Sequence, residues 1–285
     1  MIACVIMILL YTARKRPYIE KGGVLRPEAE VFDYQGKAAN AADLIIVTGH
    51  AVLNFRYDLH RAGFDDRCWH LLPYQTERGI PQAIEAHIRA GIAAAAANPD
   101  ALLVFSGGET RRDVGPVSEG SSYFAIADAL YLWGSNSDSV RARTVTEEYA
   151  TDSFENLLFS ICRFHEVTGA YPRHITLISF SFKQRRFEDM HAYAIRWPSE
   201  SFSFVGIDPK APGFDLALQT EGELENAAKP FESDLYGCNS ELLSHKRQAR
   251  NPFQRLNSYR TTCDEIKQLL EYCGPSLYQG ELPWD

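Results

Sequence analysis

The sequence lacks the motifs by which several common activities are recognised. It contains no Cys-x-x-Cys pair, no Gly-x-Gly-x-x-Gly fingerprint, no Gly-x-Ser-x-Gly nucleophile elbow, no P-loop and no histidine-rich metal motif. These absences argue against a zinc finger, a standard dinucleotide site, an α/β-hydrolase triad and a P-loop nucleotidase. We therefore expect no bound metal ion, and no single motif identifies a cofactor.

Positive charge is also scarce. The 29 Lys and Arg are outnumbered by 37 Asp and Glu, which gives a formal net charge of −8. This balance argues against nucleic acid as a partner, because nucleic-acid binding needs a basic face. No Asn-x-Ser/Thr glycosylation signal occurs, and the six cysteines are widely scattered. That spacing predicts reduced, structural thiols in preference to a disulfide framework.

Long apolar runs are missing except at the N-terminus. Residues 1–10 are almost wholly apolar and are followed by Arg14, Lys15 and Arg16. A membrane-spanning helix needs about 20 apolar residues, and a signal peptide carries its positive charge before the apolar run. We favour a packed segment, with a truncated anchor or a weak signal as alternatives. The protein is therefore expected in the cytoplasm, and association with an internal membrane is the alternative.

What the sequence does contain is a regular alternation of strand and helix patterns. Strands are predicted at 43–48, 102–105, 140–145, 174–179 and 201–207. Helices are predicted from Pro81 to Asn98, over 118–133, from Thr151 or Ser153 to Gly169, and over 184–197. This βαβα order predicts an α/β fold, a Rossmann-like three-layer α/β/α sandwich with a mostly parallel sheet.

The strand pattern fades after residue 207. Three helical pieces follow, near 218–228, 240–250 and 260–272. We therefore divide the 285 residues into an N-terminal segment (1–42), a Rossmann-like α/β core (43–207) and a helical C-terminal extension (208–285) that packs on the core.

The first polar cluster follows the strand at 102–105. Ser106, Gly107 and Gly108 leave the backbone bare where this strand ends, and Glu119 opens the next helix. Bare amides together with a helix N-terminus predict an anion site, and Glu119 would bind a ribose hydroxyl or act as a base. The alternative is that the glycines only relieve steric crowding.

The second cluster is acidic, with four carboxylates between residues 147 and 155. Some of them are expected to cap the following helix. Glu155 and Asn156 lie past the cap, which favours a role in a crevice. Glu147 is equally compatible with a site and with a solvated acidic face.

The third cluster is basic and follows the strand at 174–179. Ser179 ends the strand, and Lys183, Arg185 and Arg186 come within seven residues of it. At the carboxyl edge of a sheet such cations would bind phosphate or carboxylate. The alternative is a helix whose cations face solvent. A second basic stretch, 245–250, is interpreted as a solvated helix face, with a role in association as the alternative.

As an ordered set, these motifs resemble the YdcF/SanA/ElyC-like superfamily of domains of unknown function. The resemblance rests on Ser-Gly-Gly (106–108), Ser-Glu (118–119), Glu147, Glu155-Asn156, and Ser179 with Arg185, and it covers roughly residues 43–207. Thr48-Gly49-His50 and Arg250-Asn251-Pro252-Phe253 are similar to its fungal and other eukaryotic branch.

The resemblance implies a Rossmann-like domain. It also implies S-adenosylmethionine as a candidate cofactor, because some bacterial members are reported to bind it, while others act in cell-envelope integrity. The sequence departs from the family pattern at several positions. The family's Ser, Asn and Thr of the acidic segment fall on Ala150, Asp152 and Ser153, and its histidine falls on Phe182. His50 is the candidate substitute for that histidine, with a structural role as the alternative.

Two hypotheses follow. In the first, the protein binds a small anionic or nucleotide-like ligand, such as S-adenosylmethionine, a nucleotide or a phosphorylated metabolite, and acts as a transferase or hydrolase. In the second, it is a non-catalytic ligand-binding or membrane-associated accessory protein. The catalytic candidates are Glu119, Glu155 and Arg185. The ligand-binding candidates are Gly49, His50, Ser106, Gly107, Gly108, Glu119, Glu147, Glu155, Asn156, Ser179, Lys183 and Arg185.

Overall fold

The computed structural model describes residues 38–134 and 137–285, which belong to one compact unit. The apolar run 1–10, the cations at 14–16 and most of the predicted N-terminal segment therefore lie outside the described residues.

A five-stranded parallel sheet forms the centre of the molecule. Its strands are β1 (Asp43–Thr48), β4 (Ala101–Ser106), β5 (Thr144–Glu147), β6 (His174–Ser179) and β7 (Phe202–Gly206), in the spatial order β5-β4-β1-β6-β7. Two short antiparallel strands, β2 (Val52–Leu53) and β3 (Trp69–His70), lie apart from it. The chain thus builds the sheet outward from β1 to β5 and then crosses back to β6, so the strand order reverses between β1 and β6.

β1 and β4 form where apolar residues run without interruption, because a parallel strand covered on both faces needs apolar side chains on both. In β1, Leu44 and Ile46 contribute to one core cluster, and Ile45 and Val47 contribute to another. β4 divides its side chains between the same two clusters. The α/β/α sandwich predicted from the sequence is confirmed.

The helices between the strands cover the two faces of the sheet. They are α1 (Ile80–Ala97), α2 (Glu119–Ala129), α3 (Ser137–Arg141) and α4 (Ser153–Thr168). α1 and α2 pack in the cluster that contains Ile45, and α4 packs in the cluster that contains Leu44. After β6 the chain forms a 3₁₀ turn (Ser181–Lys183) and a π-helix (Arg186–Ala192). This segment replaces the plain helix predicted over 184–197.

The helix ends follow local capping rules. Ser118 caps α2 by accepting a hydrogen bond from the Ser121 amide, and Gly169 ends α4 in the left-handed conformation that favours glycine. α4 is capped by Asp152, and not by Thr151 or Ser153 as predicted. A carboxylate is a strong N-cap acceptor and also favours the helix dipole.

The strand predicted over 140–145 is wrong in its first half. The chain there forms α3, and β5 begins only at Thr144, in register with Leu103 of β4. Arg143 lies between them and donates hydrogen bonds to the carbonyls of Ala95, Asn98 and Ala101. Its guanidinium thus binds one carbonyl in the last turn of α1 and two in the chain that leads from α1 into β4.

The C-terminal region is helical and shares the core of the α/β unit. Its helices are α5 (Leu216–Glu223), which continues into a π-helix (Leu224–Ala228), α6 (Lys229–Ser233), α7 (Glu241–Ala249), α8 (Tyr259–Thr262) and α9 (Lys267–Leu270). Phe231, Leu243 and Tyr259 are buried in the same cluster as the α4 side chains.

A disulfide joins Cys238 to Cys273, whose Cα atoms lie 5.6 Å apart. The prediction of reduced thiols is therefore wrong for this pair, because the fold brings two sequence-distant residues to bonding distance. Cys68, Cys162 and Cys263 are free and buried. Among the helices of the described residues, none is both long and apolar enough to cross a bilayer.

Candidate functional site

A cavity of about 760 Å³ opens at the carboxyl ends of the central strands. Its floor includes Thr48 at the end of β1, Gly49 and His50 after it, and Phe180, Phe182 and Lys183 after β6. These are the two strands between which the strand order reverses. In open α/β sheets this switch point is where ligands bind, because the loops leave its two sides in opposite directions and open a crevice.

The C-terminal region and three loops complete the walls. α5 and the π-helix after it supply Leu218, Glu223 and Asn226, and α7 supplies Lys246. The loop before α1 adds Tyr74 and other residues, the loop after β4 adds Thr110 and Arg111, and the segment around the start of α4 adds residues 150–153 and Asn156. The C-terminal extension is therefore part of the site.

Basic side chains dominate the charge of this cavity. Six line it, against three acidic ones; the basic ones are Arg78, Arg111, Lys183, Arg186, Lys246 and Arg250, and the acidic ones are Glu119, Asp152 and Glu223. Within the described residues, the side chains of Arg78 and Arg111 form no hydrogen bond or ion pair. The cavity is thus cationic although the protein as a whole carries a net charge of −8.

Two of the three acids are already paired. Arg186 Nε lies 2.9 Å from Glu223 Oε1, and both side chains are about nine-tenths buried. The alignment falls short of a hydrogen bond, so neither atom has a hydrogen-bond partner in the described part of the chain. Burial lowers the pKa of Arg186, and the charge of Glu223 opposes this shift. A buried guanidinium with unused hydrogen-bonding capacity is suited to an anionic ligand.

The second pair fixes the start of α4. Asp152 Oδ2 accepts a hydrogen bond from Arg247 Nε at 2.6 Å, and Glu155 Oε1 lies 3.6 Å from the same nitrogen. Burial acts to raise the pKa of Asp152, but the charge and hydrogen bond of Arg247 hold it below its usual range. Burial and the charge of Asp152 raise the pKa of Glu155. The Asp152–Arg247 pair therefore ties α7 to the core.

Lys183 and His50 form a contact in the cavity floor. Lys183 Nζ lies 3.2 Å from His50 Nδ1. Burial, followed by the charge of Arg186, lowers the pKa of Lys183 to about 7. Burial and the charge of Lys183 also lower the pKa of His50 well below its ordinary value. Near neutral pH the two side chains therefore carry at most one positive charge between them.

Aromatic rings line the cavity beside this pair. Phe180 stacks on His50 with ring centroids 4.4 Å apart, and on Phe182 with centroids 5.2 Å apart. Phe214 lies 6.4 Å from Phe182, and Tyr74 is exposed at the rim. The cavity thus presents an aromatic surface together with its cations, and planar groups are bound by such surfaces.

Glu119 is the one cavity acid outside an ion pair among the described residues. Its Oε1 accepts a hydrogen bond from Thr110 Oγ1 at 2.7 Å. Gly49 and Gly107 lie against its side chain, and a Cβ atom on either glycine would meet Glu119 Cβ at 2.5 and 2.8 Å. Both positions require glycine because the strand ends approach the first residue of α2 this closely.

The glycine turn is not the anion site that the sequence suggested. The Gly107 amide donates to the Glu147 carbonyl at 2.9 Å, and the Gly108 amide donates to the Ala150 carbonyl at 2.8 Å. Neither glycine lines the cavity. Both amides instead join the ends of β4 and β5, so the turn determines packing and leaves no free donor.

Glu147, Ser106 and Ser179 are structural as well. Glu147 accepts hydrogen bonds from Ser106 Oγ and from the amides of Tyr149 and Ala150. Burial raises its pKa to about 7. Ser179 Oγ is bonded to Thr48 Oγ1 across the ends of β6 and β1. All three are fully buried and none lines the cavity.

The arrangement also corrects two predicted catalytic residues. The Arg185 side chain is 57% exposed, pairs with Glu232 and lies outside the cavity, whereas Arg186 faces inward. Successive residues on a helix point about 100° apart, so neighbouring arginines face different sides of the helix. Glu155 does not line the cavity because its carboxylate binds the Thr151 amide and hydroxyl.

Of the predicted site residues, the structure brings Gly49, His50, Glu119, Asn156 and Lys183 together in the cavity wall. Sequence reasoning missed Arg78, Arg111, Lys246 and Arg250. Two of them, Lys246 and Arg250, lie in the basic stretch 245–250, whose charge pattern predicts a solvated helix face. Across residues 38–134 and 137–285, no group of three or more His, Cys, Asp or Glu is arranged to bind a metal ion.

Comparison with known proteins gives one relative. The chain is 31% identical over 231 residues to the uncharacterized protein YOR238W of Saccharomyces cerevisiae. The match covers 67% of the chain and 76% of the yeast protein. The chain belongs to the family of this yeast protein. The relative's name carries no activity, so membership adds no function. No family model and no solved structure matches the chain. The resemblance to the YdcF/SanA/ElyC-like superfamily therefore stays a prediction.

Proposed function

We propose that the cavity binds a small phosphorylated ligand with a planar or apolar part, and that the protein acts on it as a transferase or hydrolase. The observation that carries the proposal is the excess of six basic over three acidic side chains at the switch point of the sheet. Phosphate is the anion whose charge best matches several cations, and arginine forms paired hydrogen bonds with it.

The proposal narrows the ligand classes suggested by the sequence. S-adenosylmethionine carries a sulfonium cation, which the surplus of basic over acidic side chains disfavours. A nucleotide or a phosphorylated metabolite places its negative charge on these basic side chains and its planar part against Phe182 and Phe214. Groups that exchange protons lie in the same wall, namely Glu119, His50 and Lys183. Their presence supports catalysis in addition to binding.

The accessory-protein alternative has less support. It relies on the N-terminal apolar segment, which lies outside the described residues, and on the basic stretch 245–250 as an association surface. Lys246 and Arg250 line the cavity, and Arg247 pairs with Asp152. The three Lys and Arg side chains of that stretch are therefore engaged inside the molecule.

Calorimetric titration with inorganic pyrophosphate, adenosine monophosphate and S-adenosylmethionine tests the proposal. Arg78→Gln and Arg111→Gln remove cations that form no hydrogen bond or ion pair with the described residues, so stability should change little. A hydrogen bond to a charged group contributes about 1.5–3 kcal/mol, so each variant should bind the phosphorylated ligands roughly 10- to 100-fold more weakly.

The matched control is Arg185→Gln, which removes the same charge from an exposed side chain outside the cavity. It should bind as tightly as the wild type. Tighter binding of S-adenosylmethionine than of either phosphorylated ligand would contradict the proposal, as would equal losses in Arg111→Gln and Arg185→Gln.

A further inference from the structure

One amine in the cavity is held in an environment that disfavours its charged form. Lys183 Nζ contacts His50 Nδ1 at 3.2 Å, and in the described chain no carboxylate forms an ion pair with it. The charged groups that face it are Arg186 from its own segment, Glu223 of α5, Arg250 after α7 and Glu119 of α2. Burial and the two arginines oppose its protonation more strongly than the two acids favour it.

His50 is not a stable alternative site for the proton that Lys183 binds weakly. Its Nε2 is buried and has no hydrogen-bond partner in the described residues, so no acceptor stabilises an imidazolium through this nitrogen. His87 and Phe180 pack on its ring, and Lys183 and Arg186 repel a second positive charge. A neutral imidazole beside a weakly basic amine is therefore the stable arrangement, and it allows a proton to pass between the two nitrogens.

We propose that Lys183 is a nucleophilic amine that forms an imine with the carbonyl group of a phosphorylated aldehyde or ketone bound in the cavity. This rests on the proposed function, since the cavity cations would hold the phosphate. Lysine amines become nucleophiles when they are desolvated or placed beside another cation, and both conditions apply here.

The step balances without another reactant. The nitrogen lone pair of the neutral amine forms the C–N bond, and the carbonyl oxygen accepts the displaced π electrons. Both hydrogens of the amine end on that oxygen, which leaves as water, and the C=N bond remains. His50 is placed to carry one of these protons from nitrogen to oxygen, and it returns to its starting state.

Pyridoxal 5′-phosphate is the probe, because it combines an aldehyde, a phosphate and a planar ring. The full chain is incubated with it at several pH values, the imine is followed by its visible absorbance, and borohydride then fixes it for peptide mapping. Near pH 7 about a thousandfold more free amine is present at Lys183, whose pKa is about 7, than at a lysine with the ordinary value.

We expect the fixed label on Lys183 in at least about tenfold excess over Lys246, which shares the cavity, with half-maximal rate near pH 7. Lys183→Arg should lose the label. Lys229→Arg, on the exposed surface, should be labelled like the wild type. Label spread evenly over the lysines, or a half-maximal rate above pH 9, would overturn the inference.

Two arms separate this inference from the binding proposal. If inorganic phosphate binds but no imine forms at Lys183, the amine inference fails and the binding proposal stands. If pyridoxal without its phosphate labels Lys183 equally well and inorganic phosphate gives no protection, the reactive amine stands and the phosphate site fails.

Discussion

Glu147 should make the stability of the protein depend on pH in a way that one substitution removes. Its carboxyl group is fully buried at the end of β5, and burial raises its pKa from 4.5 to about 7. An acid with a raised pKa in the folded state binds its proton more tightly there than in the unfolded chain. Its contribution is therefore complete below about pH 4.5 and is lost as the pH rises through 7.

The size of the effect follows from the two pKa values. The difference between 4.5 and about 7, at about 1.4 kcal/mol per unit, corresponds to about 3 kcal/mol. Most of this should disappear between pH 5 and pH 8. Glu147→Gln keeps the shape and one oxygen acceptor for the amides of Tyr149 and Ala150, and it does not ionise. As the pH rises from 5 to 8, the unfolding free energy of Glu147→Gln should therefore increase by roughly 2–3 kcal/mol relative to that of the wild type.

The assay is urea unfolding of both proteins at pH 5, 6, 7 and 8, analysed as the difference between them. Taking the difference removes the contribution of the buried histidines, which is common to both. Glu200→Gln is the control, because its carboxylate is exposed and its curve should run parallel to that of the wild type. Parallel curves for Glu147→Gln and the wild type, or a wild type that gains on the variant at pH 8, would refute the reasoning.

Three further predictions concern stability. Gly107→Ala should lose about 1–3 kcal/mol in denaturant unfolding, because the new Cβ would lie 2.8 Å from a neighbouring side-chain carbon; an unchanged midpoint would show that the strand end yields freely. Arg247→Met should lose about 3–5 kcal/mol because it leaves the Asp152 carboxylate buried without its cation, and adding Asp152→Asn should restore part of the loss. Cys238→Ser should lose about 4 kcal/mol under oxidising conditions, since the disulfide to Cys273 closes a separation of 35 residues, and a strong reductant should abolish the difference from wild type.

Much of the fold could be predicted from local patterns. β1, β4 and β6 are read directly from apolar runs because parallel central strands are covered on both faces. The start of β5 could not be read this way. Val140 is apolar and buried but belongs to α3. In so short a segment, the spacing of apolar residues does not distinguish a helix from a strand.

The site was predictable in position and only partly in composition. Strand ends at a switch point are fixed by topology, and this places His50 and Lys183 in the cavity wall. Side-chain direction within a helical segment is not fixed by sequence, which is why Arg185 was predicted and Arg186 lines the cavity. Arg250 is distant in the chain from every strand, so only the packing of α7 brings it to the cavity.

The Asp152–Arg247 pair joins residues 95 positions apart in the chain. When the last strand of the sheet has been synthesised, α7 has not yet been made, and Asp152 has no cation beside it. All five strands have been made at that stage, but two of the six basic side chains of the cavity, Lys246 and Arg250, are still missing. Since Phe231, Leu243 and Tyr259 of the C-terminal region share the core cluster of α4, synthesis of that region completes the core and the site together.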